Sequence, residues 1–219
     1  MNKTIQVINQ TTMEFKPDQT IVELTITNLH NTYEAALRMS QEESKRVKDM
    51  LVTFGLSRDE MKTSRFNIST EYKYKRDSLG LVKKEIVGYK YSHTITVNFG
   101  IDNELLSRIL YSLNERKASI HVNLSYSIKD KDELEKQVLD KCIKEANEKA
   151  KLIALSSEVE LGMIEKIQYS KEERDLYHHI YEGRMLYSKY DCCEIGGPID
   201  IDPESIKISQ GIIIDWEIK

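Results

Sequence analysis

Residues 20–55 read TIVELTITNLHNTYEAALRMSQEESKRVKDMLVTFG, and this stretch decides the fold. Val22, Leu24 and Ile26 alternate with Glu23, Thr25 and Thr27, which predicts a strand over 20–29 with one wet face. The period then changes. Ala36, Met39, Val47, Met50, Leu51 and Phe54 fall on one stripe with charges opposite, predicting a helix over 32–54. At 1.5 Å per residue it is about 35 Å long. Asn31, three residues before Glu34, predicts its start. Gly55 is placed to stop it in a left-handed conformation.

Working outward, residues 4–15 read as a strand closed by the turn Lys16-Pro17-Asp18. Downstream, 65–75 alternates through Phe66, Ile68, Tyr72 and Tyr74, and Asp77-Ser78-Leu79-Gly80 reads as a hairpin tip. The return strand places Tyr89, Tyr91, His93, Ile95, Val97 and Phe99 on one face. Residues 102–116 predict a short helix with Leu105, Leu106, Ile109 and Leu113 inward.

The second half repeats this pattern. Ile120, Val122, Leu124, Tyr126 and Ile128 form a one-sided strand. Lys129–Ser156 reads as a long charged helix with a seam of Leu134, Val138, Cys142, Ala146, Ala150 and Ile153. Residues 162–169 and 205–218 supply two more strands. The expectation is an α+β fold. Pseudo-duplicated strand–long helix–strand–strand units span about 20–100 and 119–218 of a single domain, 1–219. The sheet is largely antiparallel, with helices on one face. Residues 170–204 stand apart as an irregular loop, long for a compact domain.

Composition narrows the function classes. The 219 residues are 40% hydrophobic and 31% charged, too apolar for disorder. With 32 Lys and Arg against 36 Asp and Glu, the net charge is −4, which argues against general nucleic-acid binding. No stretch has signal-peptide or membrane-spanning length, so the expectation is a cytoplasmic protein without membrane insertion. Three cysteines, Cys142 and the adjacent Cys192 and Cys193, make no disulfide framework.

A family resemblance spans about 200 residues. Val7–Asp18 (VINQTTMEFKPD) resembles the opening of SIMPL-domain proteins, with Asn9 and Thr11 where the family usually carries a Gly-x-Gly. Gly55-Leu56 followed by Met61–Ile68, Tyr72-Lys73-Tyr74, Gly88-Tyr89 and Leu124–Ser127 resemble further family segments in order. So do Ala146, Ala150, Lys151 and Ala154 with their Leu161-Gly162 exit. The resemblance implies an α+β fold that self-associates, with stress- or envelope-related roles suggested for relatives. It carries over no catalytic residues.

The chemistry-bearing residues are few. Tyr177-His178-His179-Ile180-Tyr181 and Asp191-Cys192-Cys193-Glu194 hold metal-ligand types, with His178, His179, Cys192 and Cys193 as candidates. Adjacent ligands reach one ion less readily than ligands two to four residues apart, and a surface loop with incidental ligands accounts for the same residues. The cysteine pair is a redox candidate weakened by its acidic neighbours, which raise a thiol pKa. His93, on an apolar strand face, reads as a core histidine, and His121 as a solvated one. Lys131–Glu135, Asp140–Lys144 and Glu145–Lys149 read as i,i+4 pairs on a solvated helix face.

No P-loop, Gly-x-Ser-x-Gly or His-Glu-x-x-His pattern occurs, so no catalytic residue and no cofactor is expected. Twelve tyrosines against four phenylalanines suit interfaces or half-wet sheets. Tyr72, Tyr74, Tyr89 and Tyr91 lie on facing hairpin arms and are the candidate oligomer contact. The leading reading is a non-catalytic homo-oligomer. The alternative is a ligand- or metal-responsive protein sensing through 170–204.

Overall fold

A computed structural model describes residues 3–76, 82–114, 119–170 and 201–219. In chain order its elements are β1 (Thr4–Phe15), β2 (Gln19–His30), α1 (Tyr33–Thr53), a 3₁₀ turn (Arg58–Glu60), β3 (Met61–Arg76), β4 (Val82–Gly100), α2 (Asn103–Asn114), β5 (Ser119–Ser127), α3 (Lys131–Ser156), β6 (Leu161–Ser170) and β7 (Ile206–Ile218). The expected α+β class holds, with two antiparallel sheets ordered β3-β4-β2-β5 and β1-β7-β6.

The chain divides into two compact units. The central unit is built on Asp18–Ser127. The alternation in β2 sets its interior: Val22, Leu24 and Ile26 are fully buried, as are Ile95 and Val97 of β4. α1 lies on β4 and β2 and adds Ala36, Val47 and Leu51 to that core; α2 adds Leu106 and Ile109. Each such Val, Leu or Ile side chain contributes about 1.5–3 kcal/mol by leaving water. The opposite sheet face is polar, with Thr25 and Thr94 hydroxyls 3.0 Å apart. α1 starts one residue later than the sequence predicts, because Thr32 rather than Asn31 accepts from the Ala35 N–H at 3.2 Å. Gly55 takes φ +92 at its end, a conformation that disfavours side chains.

The terminal unit joins the two chain ends: β1, α3, β6 and β7. β1 pairs with β7 from Thr4↔Glu217 to Phe15↔Ile206. Here the predicted repeat needs correction. β5 does not lead the second unit; it pairs with β2 at the edge of the central sheet. The leading strand is β1, so β1-β7-β6 matches β2-β4-β3 element by element, each with its long helix. Ile128 likewise leaves β5 and packs with Val138, Ile206 and Ile208 in the terminal unit.

α3 buries Val138, Cys142, Ala146, Ala150 and Ala154, while Ile153 is exposed and not part of the seam. A four-residue step keeps Ala154, not Ile153, in line with Cys142, Ala146 and Ala150. This small-residue seam packs on Val7, Ile212, Ile214 and Trp216.

Candidate assembly surface

β2 pairs with β4 only as far as His30↔Tyr89. β3 and β4 continue past that point as a two-stranded arm, paired to Arg76↔Val82. The register slips by one residue between Glu71 and Tyr72, so Tyr72 faces Ile86 and Tyr74 faces Lys84. Directly opposed residues share a face. Tyr72, Tyr74, Val82 and Ile86 therefore line one side together with Arg76 and Lys84, and Lys73, Lys75, Lys83 and Glu85 the other, where Lys75 bridges Glu85 at 3.0 Å. The Lys84 ammonium sits 3.6 Å from the Tyr72 ring centroid. Tyr74 is 67% exposed, Ile86 62% and Val82 59%.

The apolar side extends the core face of the sheet. Ile68↔Tyr91 and Thr70↔Tyr89 precede it on β3 and β4. Tyr33 at the start of α1 meets Tyr89 edge-on, with ring centroids 6.0 Å apart. Beyond that contact, among the described residues, α1 no longer covers the core side of the strands. Gly88 at the arm's base sits against the end of β2: a Cβ there would lie 2.5 Å from the His30 carbonyl oxygen.

The four candidate tyrosines thus part company. Tyr72 and Tyr74 are exposed on the arm and Tyr89 is half-buried. Tyr91 is fully buried and is not a surface residue. They also do not pair with each other across the hairpin, because the register matches them to Ile86, Lys84, Thr70 and Ile68.

Tyr91 belongs to a polar cluster under α1. Its hydroxyl has no hydrogen-bond partner and is pushed up to about 12 by burial and by the Glu43 carboxylate. Glu43 is itself nearly buried and bound by Arg46 at 2.7 Å. The His30 ring stacks on Tyr91 at 5.9 Å. His93 lies in the core face as expected, with Thr63 Oγ1 3.2 Å from Nε2 and the Phe66 ring edge-on, but its buried Nδ1 makes no well-formed hydrogen bond. Burial first, then Lys48, lowers its pKa; the Ser40 backbone opposes them. His121 is exposed.

A second polar cluster, missed in the sequence, pins α3 to β1. Asn9 and Thr11 point inward beside Val7 and are buried. Asn9 Nδ2 donates to the Cys142 carbonyl at 2.9 Å, and its Oδ1 accepts from Lys149 at 2.6 Å. The Thr11 hydroxyl donates to Glu145, and with Asn9 it holds that carboxyl below its usual range; Lys141 and Lys149 add to the effect. Glu145 and Lys149 therefore hydrogen-bond Thr11 and Asn9 of β1, while Lys149 remains exposed. Asp140–Lys144 is a solvated pair, with both side chains exposed. Polar residues on an inward strand register were the available signal.

His178, His179, Cys192 and Cys193, residues 171–200 of the 170–204 loop, and the Asp77–Gly80 tip lie outside the described residues. Among the described residues no three His, Cys, Asp or Glu side chains are grouped to hold a metal ion. None of the described helices is long and apolar enough to cross a membrane.

Fold and surface define a two-unit α+β protein with an amphipathic β-arm. The chain belongs to the SIMPL family, described as proteins of unknown function (DUF541), whose family model matches residues 5–211. No curated protein matches the chain.

Proposed function

We propose that this chain acts by assembling with copies of itself, without catalysis, and that the arm is buried in the contact. The observation that carries the reading is the apolar face of Tyr72, Tyr74, Val82 and Ile86. It continues a core-facing sheet surface past the end of its helix, on two strands that would be marginal alone in water. An apolar surface beside such a strand edge is a hazard for a monomer and an asset for an assembly.

The test is sedimentation velocity of the wild type beside a Tyr74→Lys/Ile86→Lys variant. The wild type is expected at a multiple of 25.5 kDa and the variant at a lower mass, with unchanged circular dichroism. Identical sedimentation of the two proteins overturns the role of the arm.

A further inference from the structure

The arm needs a surface to meet, and the terminal unit offers one. α3 lies on β1 and β7 and barely reaches β6. Register places Ile164, Ile167 and Tyr169 of β6 opposite the inward-facing Trp216, Ile214 and Ile212 of β7. The three β7 side chains are buried, yet Ile164, Ile167 and Tyr169 are each about half exposed. At about 3.3 Å per residue, the row from 164 to 169 runs about 17 Å, and the arm's row from 72 to 76 about 13 Å. The two faces are alike in size and chemistry.

Charge decides between the possible pairings. The arm strands, 71–76 and 82–88, carry five basic residues against Glu71 and Glu85. On the apolar face itself the charges are Lys84 and Arg76, both positive. Residues 157–170, which lead into and form β6, carry Glu158, Glu160 and Glu165 against Lys166. By net charge of these stretches, arm against arm, or β6 against β6, brings like sign together, and arm against β6 brings opposite sign together.

We infer that the arm of one copy docks its Tyr72/Tyr74/Ile86 face on the Ile164/Ile167/Tyr169 face of the next. This rests on the assembly reading above and names the two surfaces. The contact is heterologous, so each copy keeps one free arm and one free β6 face until a ring closes or a filament grows.

Complementation tests it. A variant without the arm face (Tyr74→Lys/Ile86→Lys) and one without the β6 face (Ile167→Glu) are each expected at 25.5 kDa by light scattering. Mixed one to one, they still share one intact arm and one intact β6 face, so a species of twice that mass is expected. A mixture that stays monomeric, or an Ile167→Glu protein as large as wild type, overturns the pairing. A second measurement does not rely on disruptive variants: a benzophenone photo-crosslinker at position 74, in a mixture of ¹⁴N- and ¹⁵N-labelled protein. Mixed-label cross-links to residues 161–170 are expected. Cross-links from arm to arm, or only within one chain, refute the pairing even where the protein is oligomeric. A wild type that is monomeric throughout refutes the assembly reading itself.

Discussion

Gly88→Ala, with Gly100→Ala as its control on the same strand, tests how the arm is seated. The added Cβ at Gly88 would lie 2.5 Å from the His30 carbonyl oxygen, about 0.9 Å inside the 3.4 Å where ordinary contact begins. The neighbour is backbone at the end of β2, paired to β4 at His30↔Tyr89, so it cannot swing away as a side-chain tip would. β4 must move at the arm's base. Overpacking of this kind costs about 2 kcal/mol. For a chain of 219 residues that lowers Tm by roughly 4–8 °C. At Gly100 a Cβ meets nothing within 4 Å and φ is not positive, so alanine there is expected to be neutral or to raise stability by about 0.5–1 kcal/mol. Thermal melts by circular dichroism read both. Equal Tm values for wild type and Gly88→Ala would refute the close approach and the placement of the arm's base.

Tyr91→Phe deletes a buried hydroxyl without a partner, so it is expected to leave Tm unchanged or raise it by up to about 1 kcal/mol equivalent; a clear loss in a denaturant titration would show that the hydroxyl is bonded. Tyr91→Ser instead removes a fully buried ring and is expected to cost about 3–5 kcal/mol, near the Phe/Trp→Ala range. Asn9→Ala is expected to cost about 1 kcal/mol by removing the buried amide that donates to the Cys142 carbonyl and accepts from Lys149, read by urea unfolding; no change would refute the clamp. Burial, then Lys48, lowers the His93 pKa in the fold from its ordinary value. The unfolded chain then takes up more protons as pH falls through 6.5, so stability is full above that pH and declines below it. The acid-side decline in Tm is expected to be smaller in His93→Gln, and an equal decline would refute the assignment.

The elements were legible because their periods are strong. Val22-Leu24-Ile26 and the stripe from Ala36 to Leu51 name a strand and a helix that bury those residues. The partnership of β1 was not legible, because Thr4 meets Glu217 across nearly the whole chain and no local pattern encodes so long a pairing. That is why β5 stood in for β1 as the second unit's first strand. The tyrosines were legible as a hairpin and not as a surface. A single slip between Glu71 and Tyr72 sets which arm side chains share a face, and among the described residues α1 does not reach Tyr72 and Tyr74, which are exposed. Glu145 and Lys149 fit the i,i+4 spacing of a solvated pair, and only the inward Asn9 and Thr11 draw them toward the sheet.

Light scattering of the wild-type protein after size-exclusion chromatography, diluted from micromolar to nanomolar, tests the central claim most directly. The account predicts a discrete multiple of 25.5 kDa that gives way to smaller species on dilution or on substitution of Tyr74 and Ile86. A single mass of 25.5 kDa at every concentration would contradict it.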